Sequence, residues 1–156
     1  MKGSLADVKR LVADLRPTTL EELGLAEALR QYADTVTQRS EGVLKVRVEL
    51  PDWLPPLPSA AEVAAYRIVL EAVTNVARHA DATQCTVTVT VTDGSLFLAV
   101  TDNGCGMPPA RQAQGLGLRS MAERAAELGG SCTVGAARDQ GTRVTAVIPL
   151  GSMPGS

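Results

Sequence analysis

The sequence predicts an α/β (α+β) two-layer sandwich, with helices covering one face of a mixed, mostly antiparallel sheet. Three observations carry that expectation. Apolar residues recur at helical intervals in the first half of the chain, most clearly from Ser59 to Ala80. The second half holds β-branched or apolar runs in pairs, TQCTVTVTVT with SLFLAVT and SCTVGAAR with TRVTAVIPL. Short turns join them, Asp93-Gly94 in the first pair and Asp139 to Gly141 in the second, and such turns between apolar runs read as hairpins.

Taken in order, SLADVKRLVADLR places Leu5, Val8, Leu11, Val12 and Leu15 on one stripe of a short helix that Pro17 stops. That stripe calls for another helix as its partner. LEELGLAEALRQYADTVTQRS restarts the helical pattern after Thr18 and Thr19, which can supply a capping oxygen, and Gly24 is the weak point of its first turn. KVRVEL alternates apolar and charged residues as a half-buried strand does, and the proline-rich connector PDWLPPLP follows. Ser59 with Glu62 three residues later forms a capping box. In the helix it opens, Ala65, Ile68, Val69, Ala72, Val73 and Val76 share the apolar face, while Arg67, Glu71, Asn75 and Arg78 fall on the other. LGLRSMAERAAEL separates the two hairpins as a helix closed by Gly129 and Gly130.

With 156 residues, 45% of them hydrophobic, and a net charge of -2, the chain fits one domain and carries no broad basic field. Nucleic acid and anionic membrane surfaces are therefore excluded as partners, and any anion site is local. Cys85, Cys105 and Cys132 lie far apart, and His79 is the only histidine. This spacing favours reduced thiols in a cytoplasmic compartment over a zinc site or a disulfide framework. No apolar run is long enough to cross a bilayer, and MKGSLADVKR lacks the apolar centre of a signal peptide, so a soluble chain is expected. Met1 to Ser4 and the SMPGS end are candidates for residues added in cloning, and neither carries weight in the reading.

The chemistry concentrates in TDNGCGMPPARQAQGLGL, Thr101 to Leu118. Asp102 ends a strand, Gly104 and Gly106 follow it, and Gly115 and Gly117 immediately precede a helix. A helix start presents unpaired N–H groups and partial positive charge, and glycines let phosphate oxygens approach them. The spacing matches neither a Walker A loop nor a dinucleotide fingerprint. Asp102 is an acceptor-only carboxylate suited to an exocyclic amine such as that of adenine, although Asp102-Asn103-Gly104 equally suits a plain turn. Glu71 and Asn75, four apart on one helix face, supply oxygens of the kind Mg²⁺ prefers, and Arg78 is placed to meet phosphate charge. The competing reading is a solvated polar face with an Arg67–Glu71 pair. Thr142, after Gly141, offers a hydroxyl to a purine edge or is simply a good strand residue. His79 near a helix end reads as a ligand contact or as a dipole-stabilised cation. The cysteines and the histidine form no local triad signature, which argues against covalent hydrolase chemistry.

Placed together, these segments resemble a known family. EAVTNVARHA resembles the N box, DNGCGM the G1 box, GLGLRSM the G2 box and Gly141-Thr142 the last nucleotide motif of the GHKL ATPases. LRPTTLEELGLAEAL, Leu15 to Leu29, is similar to the segment joining the dimerisation helices to the ATPase domain in NarL-partner (HisKA_3-type) sensor histidine kinases. Together these segments extend the resemblance over nearly all of residues 5 to 150.

What it implies is a Bergerat ATP-binding fold with ATP and Mg²⁺ as cofactors. Asn75 would contact Mg²⁺ with Glu71 in support, Arg78 and His79 would lie near the phosphates, and Asp102 would take the adenine amine. Gly104, Gly106, Gly115 and Gly117 would shape a lid between Met107 and Gly115. Met107 and Leu116 would flank the base or the lid hinge, Leu118 would complete the GLGL contact, and Thr142 would lie near the purine. The kinases of this family phosphorylate a histidine on the first dimerisation helix, and no such acceptor is present. His79 belongs to the N box and is no substitute. The expectation is therefore a protein-histidine kinase fragment. By the resemblance, residues 1–16 would be the remnant of the second dimerisation helix, 17–150 the catalytic domain and 151–156 a flexible tail.

Its implied partners are its own dimerisation and phosphoacceptor helices, in a homodimeric parent that is either soluble or membrane-anchored, and a NarL/LuxR-type response regulator. No direct membrane contact is expected of the fragment. Three alternatives stand beside this reading. An anti-sigma-factor serine kinase has similar nucleotide boxes but lacks the LRPTTLEELGLAEAL segment. A regulatory module that no longer uses ATP would not need these residues intact. A water-activating ATPase of the gyrase or chaperone sort carries extra domains.

Overall fold

The computed structural model describes residues 18–79, 81–104, 118–137 and 141–151. In chain order its elements are helix α1 (Thr18–Arg39), strand β1 (Lys45–Glu49), helix α2 (Ser59–His79), strands β2 (Gln84–Thr92) and β3 (Ser95–Asp102), helix α3 (Leu118–Glu127), and strands β4 (Ser131–Ala136) and β5 (Thr142–Pro149). The expected helix over 5–15 and the expected lid lie outside the described residues.

The five strands form one sheet in the order β1-β2-β3-β5-β4. Only β1 and β2 pair in parallel, and the other neighbours are antiparallel. A parallel step needs a long crossover, and α2 supplies it. The mixed, mostly antiparallel sheet is the one expected. The hairpin β2–β3 turns at Asp93 and Gly94, whose φ values of 51° and 73° match the twist of the flanking strands in a two-residue loop.

Period-two alternation sorts the strand residues. Cys85, Val87 and Val89 of β2, Leu96, Leu98 and Val100 of β3, and Val144, Ala146 and Ile148 of β5 are buried against the helix layer. On α2 the six residues expected on the apolar face, Ala65, Ile68, Val69, Ala72, Val73 and Val76, are all buried, and the helix packs on β2, β3 and β5. Helix α1 packs on β1 and α2, and α3 on α2, β4 and β5.

Two helix details follow from glycine. Gly24, with φ 79° and ψ 169°, breaks α1 into two segments, so the suspected weak turn is a true kink. At the end of α3 the Gly130 N–H reaches the Ala125 carbonyl at 2.8 Å and the Gly129 N–H that of Ala126 at 2.9 Å, with Gly129 in the left-handed region. This is the closure in which successive N–H groups satisfy the last carbonyls of a helix.

Cys85 and Cys132 are free thiols, as expected, and Cys105 lies outside the described residues. Burial, with the charge of nearby Asp102 added, pushes the Cys85 thiol up to about 12. Burial alone takes Cys132 to about 11. Among the described residues no helix is long and apolar enough to cross a membrane.

Candidate functional site

Strand β3 ends with Asp102 turned towards the helix layer, where its side chain is only 4% exposed. Burial disfavours the charged form and raises its pKa above the ordinary 3.8, against the opposing pull of two backbone N–H groups. Those groups are identified: Gly104 donates to Oδ1 at 2.8 Å and Thr142 donates to the same oxygen at 3.4 Å. Both described hydrogen bonds fall on Oδ1. The bond to Gly104 is the turn that the local reading of Asp-Asn-Gly anticipated, and the bond to Thr142 brings the start of β5 into the same cluster.

Gly141 makes that approach possible. A Cβ built there would stand 1.7 Å from the Asp102 carbonyl oxygen and 2.6 Å from its carbonyl carbon, so no larger residue fits without moving backbone. The Gly-Thr pair was singled out for its hydroxyl, yet the described contact is made by the Thr142 backbone, with Thr142 itself buried.

Asn103, which the sequence marked only as a turn residue, is a clasp. Its Oδ1 accepts the N–H groups of Thr83 and Gln84, both at 2.9 Å, and its Nδ2 donates to the Thr83 hydroxyl at 2.9 Å. Its backbone N–H also donates to the Gln84 carbonyl at 3.2 Å. Thr83 and Gln84 are where the chain enters β2 just after leaving α2. The C-terminal end of α2 is therefore tethered to the end of β3 that carries Asp102.

That end of α2 bears the other expected residues. Glu71 and Asn75 are half-buried and one turn apart, about 6 Å along the axis, and Arg78 is exposed. His79 is the last residue of α2 and Leu118 the first of α3, with the side chains of both outside the description. Gly106, Met107, Gly115, Leu116 and Gly117 lie outside the described residues, while Gly104 is buried beside Asp102. The structure thus gathers Asp102, Gly104 and Thr142 into one hydrogen-bonded cluster at the edge where the Asn75–His79 segment of α2 ends. The expected alternative on α2 is corrected: no Arg67–Glu71 ion pair forms among the described residues. Instead both residues line a pocket of about 290 Å³ between the helices, with Tyr32 and Thr74 on one wall and Ser120 and Arg124 on another.

A second recess, of about 360 Å³, adjoins Asp102 from behind. Its walls include Thr86, Thr101 and Arg143, which leave the sheet on the side away from the helices. It is not the space that the Asp102 side chain faces.

The model of the histidine kinase-, DNA gyrase B- and HSP90-like ATPases matches residues 60–152, which takes in α2, Asp102 and Thr142 alike. The chain belongs to that ATPase family. The relatives it matches in sequence are named as histidine kinases. It is 34% identical over 145 residues to the signal transduction histidine-protein kinase/phosphatase UhpB of Salmonella typhimurium, covering 91% of this chain and 28% of that protein. It is 34% identical over 145 residues to the sensor histidine kinase LiaS of Bacillus subtilis, covering 92% of this chain and 39% of that protein. The chain therefore spans well under half the length of either relative. Among solved structures, a blue-light activated histidine kinase of Erythrobacter litoralis superposes with a TM-score of 0.68 at 25% identity, over 82% of this chain and 46% of that one.

For an ATPase-family domain, the α2 donor set has the right chemistry for Mg²⁺. No group of three or more His, Cys, Asp or Glu side chains forms a metal cage among the described residues. One carboxylate and one amide oxygen a turn apart suit a cation that keeps its waters and completes its shell with nucleotide phosphate.

Proposed function

We propose that the chain binds Mg-ATP and passes the γ-phosphate to a histidine on a dimerisation hairpin, for relay to a NarL/LuxR-type response regulator. Residues 1–16 would be the tail of that hairpin's second helix, 17–150 the catalytic domain and 151–156 a tail. The observation that carries the proposal is the placement of buried Asp102, with both described bonds on Oδ1, at the edge where Asn75 and Arg78 come down on α2.

In this reading Oδ2 of Asp102 accepts the exocyclic amine of adenine, and the fixed N–H groups of Gly104 and Thr142 hold the carboxylate in position. Thr142 contributes its hydroxyl to the purine edge. Asn75 and Glu71 hold Mg²⁺, which supplies charge neutralisation at the phosphates. Arg78 and His79 face the phosphate charge, and the lid between Met107 and Gly115, framed by Gly106, Leu116, Gly117 and Leu118, excludes water. Phosphoryl transfer needs little covalent help from protein, because catalysis comes from position and electrostatics. This domain would supply both and take its nucleophile from the hairpin. The parent kinase would be a homodimer through its hairpins.

The test has two stages. Calorimetric titration with Mg-ATP should show binding. Incubation with a separately made upstream hairpin should then yield acid-labile phosphohistidine. No heat with magnesium nucleotide, or phosphate found on serine, sinks the proposal.

A further inference from the structure

We infer that the pocket between α1, α2 and α3 is an oxyanion site, in which Arg67 and Arg124 grip a phosphate group. The inference rests on the nucleotide reading only for one of two phosphate sources. The group is either the terminal phosphate of bound nucleotide or free inorganic phosphate.

Four observations converge on this pocket. Arg67 Nε is shut off from solvent and has no hydrogen-bond partner in the structure. Buried donors are rarely left so, since they forfeit water without gaining an acceptor. Nε and the adjacent Nη of a guanidinium are the pair that meets a phosphate or carboxylate side-on with two parallel bonds. Arg67 also lines the open pocket, so a turn of its guanidinium brings this orphaned donor to an anion held there.

Second, Arg124 lines the pocket from α3, across from Arg67 on α2. Neither has an ion pair among the described residues, where the arginine pairs are Arg30–Glu27, Arg47–Glu49 and Arg119–Glu123. Arg119, five positions before Arg124, is thus occupied by Glu123, leaving Arg124 to the pocket. Against these two positive groups the pocket sets one carboxylate, Glu71.

Third, the remaining polar walls are rich in donors. Tyr32 and Thr74 share a hydrogen bond of 2.7 Å, which uses one hydroxyl proton and leaves the other to give. Ser120 adds a hydroxyl from the first turn of α3, the helix end that carries partial positive charge. An anion with several lone pairs suits that inventory better than a cation or an apolar group.

Fourth, the pocket continues the proposed line of nucleotide contacts. Glu71 lines it, and Asn75 lies one turn further along α2 towards Asp102. Arg67 is two turns, about 12 Å, from Asn75 on the side away from Asp102. A phosphate held there would lie beyond the metal end of the nucleotide. The ill-matched neighbour is Glu71, whose charge repels phosphate unless the bound cation stands between them.

The experiment follows the arginine Nε–H signals of the whole chain by ¹⁵N NMR during titrations with inorganic phosphate, Mg-ADP and Mg-ATP. Affinities are measured in parallel for Arg67→Gln, Arg67→Lys and Arg124→Gln, with thermal melting to confirm that each variant is folded. The Arg67 Nε–H signal should move. Movement with Mg-ATP but not Mg-ADP assigns the terminal phosphate, and movement with inorganic phosphate alone assigns the free ion. Arg67→Gln should weaken the responding ligand about 10-fold and leave Mg-ADP within about twofold, with Arg67→Lys restoring part of the loss, because a lysine keeps the charge but not the side-on pair. A signal unmoved in every titration overturns the inference, as does an equal loss of Mg-ADP and Mg-ATP affinity in Arg67→Gln. If neither nucleotide binds the wild-type chain, the kinase reading fails by itself, and the phosphate titration still decides the pocket. If a variant does not fold, the wild-type spectra decide.

Discussion

At the end of β3 the polar groups are held by the chain itself, Oδ2 of Asp102 aside: Asp102 Oδ1 holds Gly104 and Thr142, and Asn103 holds Thr83 and Gln84. Along the pocket side of α2, Arg67 carries a buried N–H with no acceptor. The two regions are joined by α2 and its exit into β2, yet they are finished to different degrees. The strand end is assembled from backbone and short side chains, so its geometry exists before any ligand arrives. The helix side is assembled from long charged side chains that meet across a gap. Such an arrangement suits a nucleotide whose base is always the same and whose phosphates change. In the proposed reading the fixed part would read the base, and the unfinished part would be completed by what it binds.

The sharpest way to break this contrast is Gly141→Ala. The added methyl carbon would lie 1.7 Å from the Asp102 carbonyl oxygen, a backbone atom that cannot swing aside. A loss of about 3 kcal/mol in chemical denaturation is expected, at the upper end for overpacking. A variant as stable as wild type would show that the strand end gives way easily, and the rigid half of the comparison would be lost.

Asp102→Asn comes next. An amide can still accept at Oδ1 from Gly104 and Thr142, but it offers an amine where the carboxylate offered a second oxygen. The ATP-over-GTP preference should fall by about 10-fold to 100-fold, the range for a hydrogen bond to a charged group. Stability should respond in the opposite sense. Because burial raises the folded-state pKa of Asp102 above 3.8, the native state holds the proton more tightly than the unfolded chain. The sign of linkage then makes Asp102 cost stability as pH rises from 3.8 through the folded pKa, a cost absent below 3.8. The variant lacks that titration, so its stability relative to wild type should improve as pH rises across that window. A difference that does not vary with pH there shows that the carboxylate is not desolvated as the structure has it.

The two regions also differ in how far the sequence disclosed them. The hairpin at Asp93-Gly94, the six-residue apolar face of α2 and the glycine closure of α3 were all legible, because each depends on neighbours within a few positions. The break at Gly24 was half legible, since a glycine marks where a kink is cheap without saying that packing uses it. Asp102 and Thr142 stand out in the sequence as candidate site residues through motif order. Their mutual contact was not, for it spans 40 positions and is made by a backbone N–H that any residue possesses. Asn103 hid behind its turn propensity, and its partners lie 19 and 20 positions upstream. Arg67 entered the sequence reading only as the competing partner of Glu71, which helical spacing offers it at i+4. Which charged side chain turns into an interhelical gap depends on where the neighbouring helices pass, and no local pattern encodes that.

The smallest expected effect probes the loose side directly. Tyr32 and Thr74 make the hydrogen bond that ties α1 to α2 at the pocket wall, 2.7 Å long and partly buried. Tyr32→Phe keeps the ring and removes only the hydroxyl. Because the pocket is open, water can reach the Thr74 hydroxyl and replace most of what is lost, so the cost should be below about 1 kcal/mol. Denaturation of the variant beside Gly141→Ala sets the two regions on one scale. Should Tyr32→Phe cost as much as the glycine substitution, the helix side is as tightly determined as the strand side, and the buried Arg67 donor is a price of packing and not an opening for phosphate.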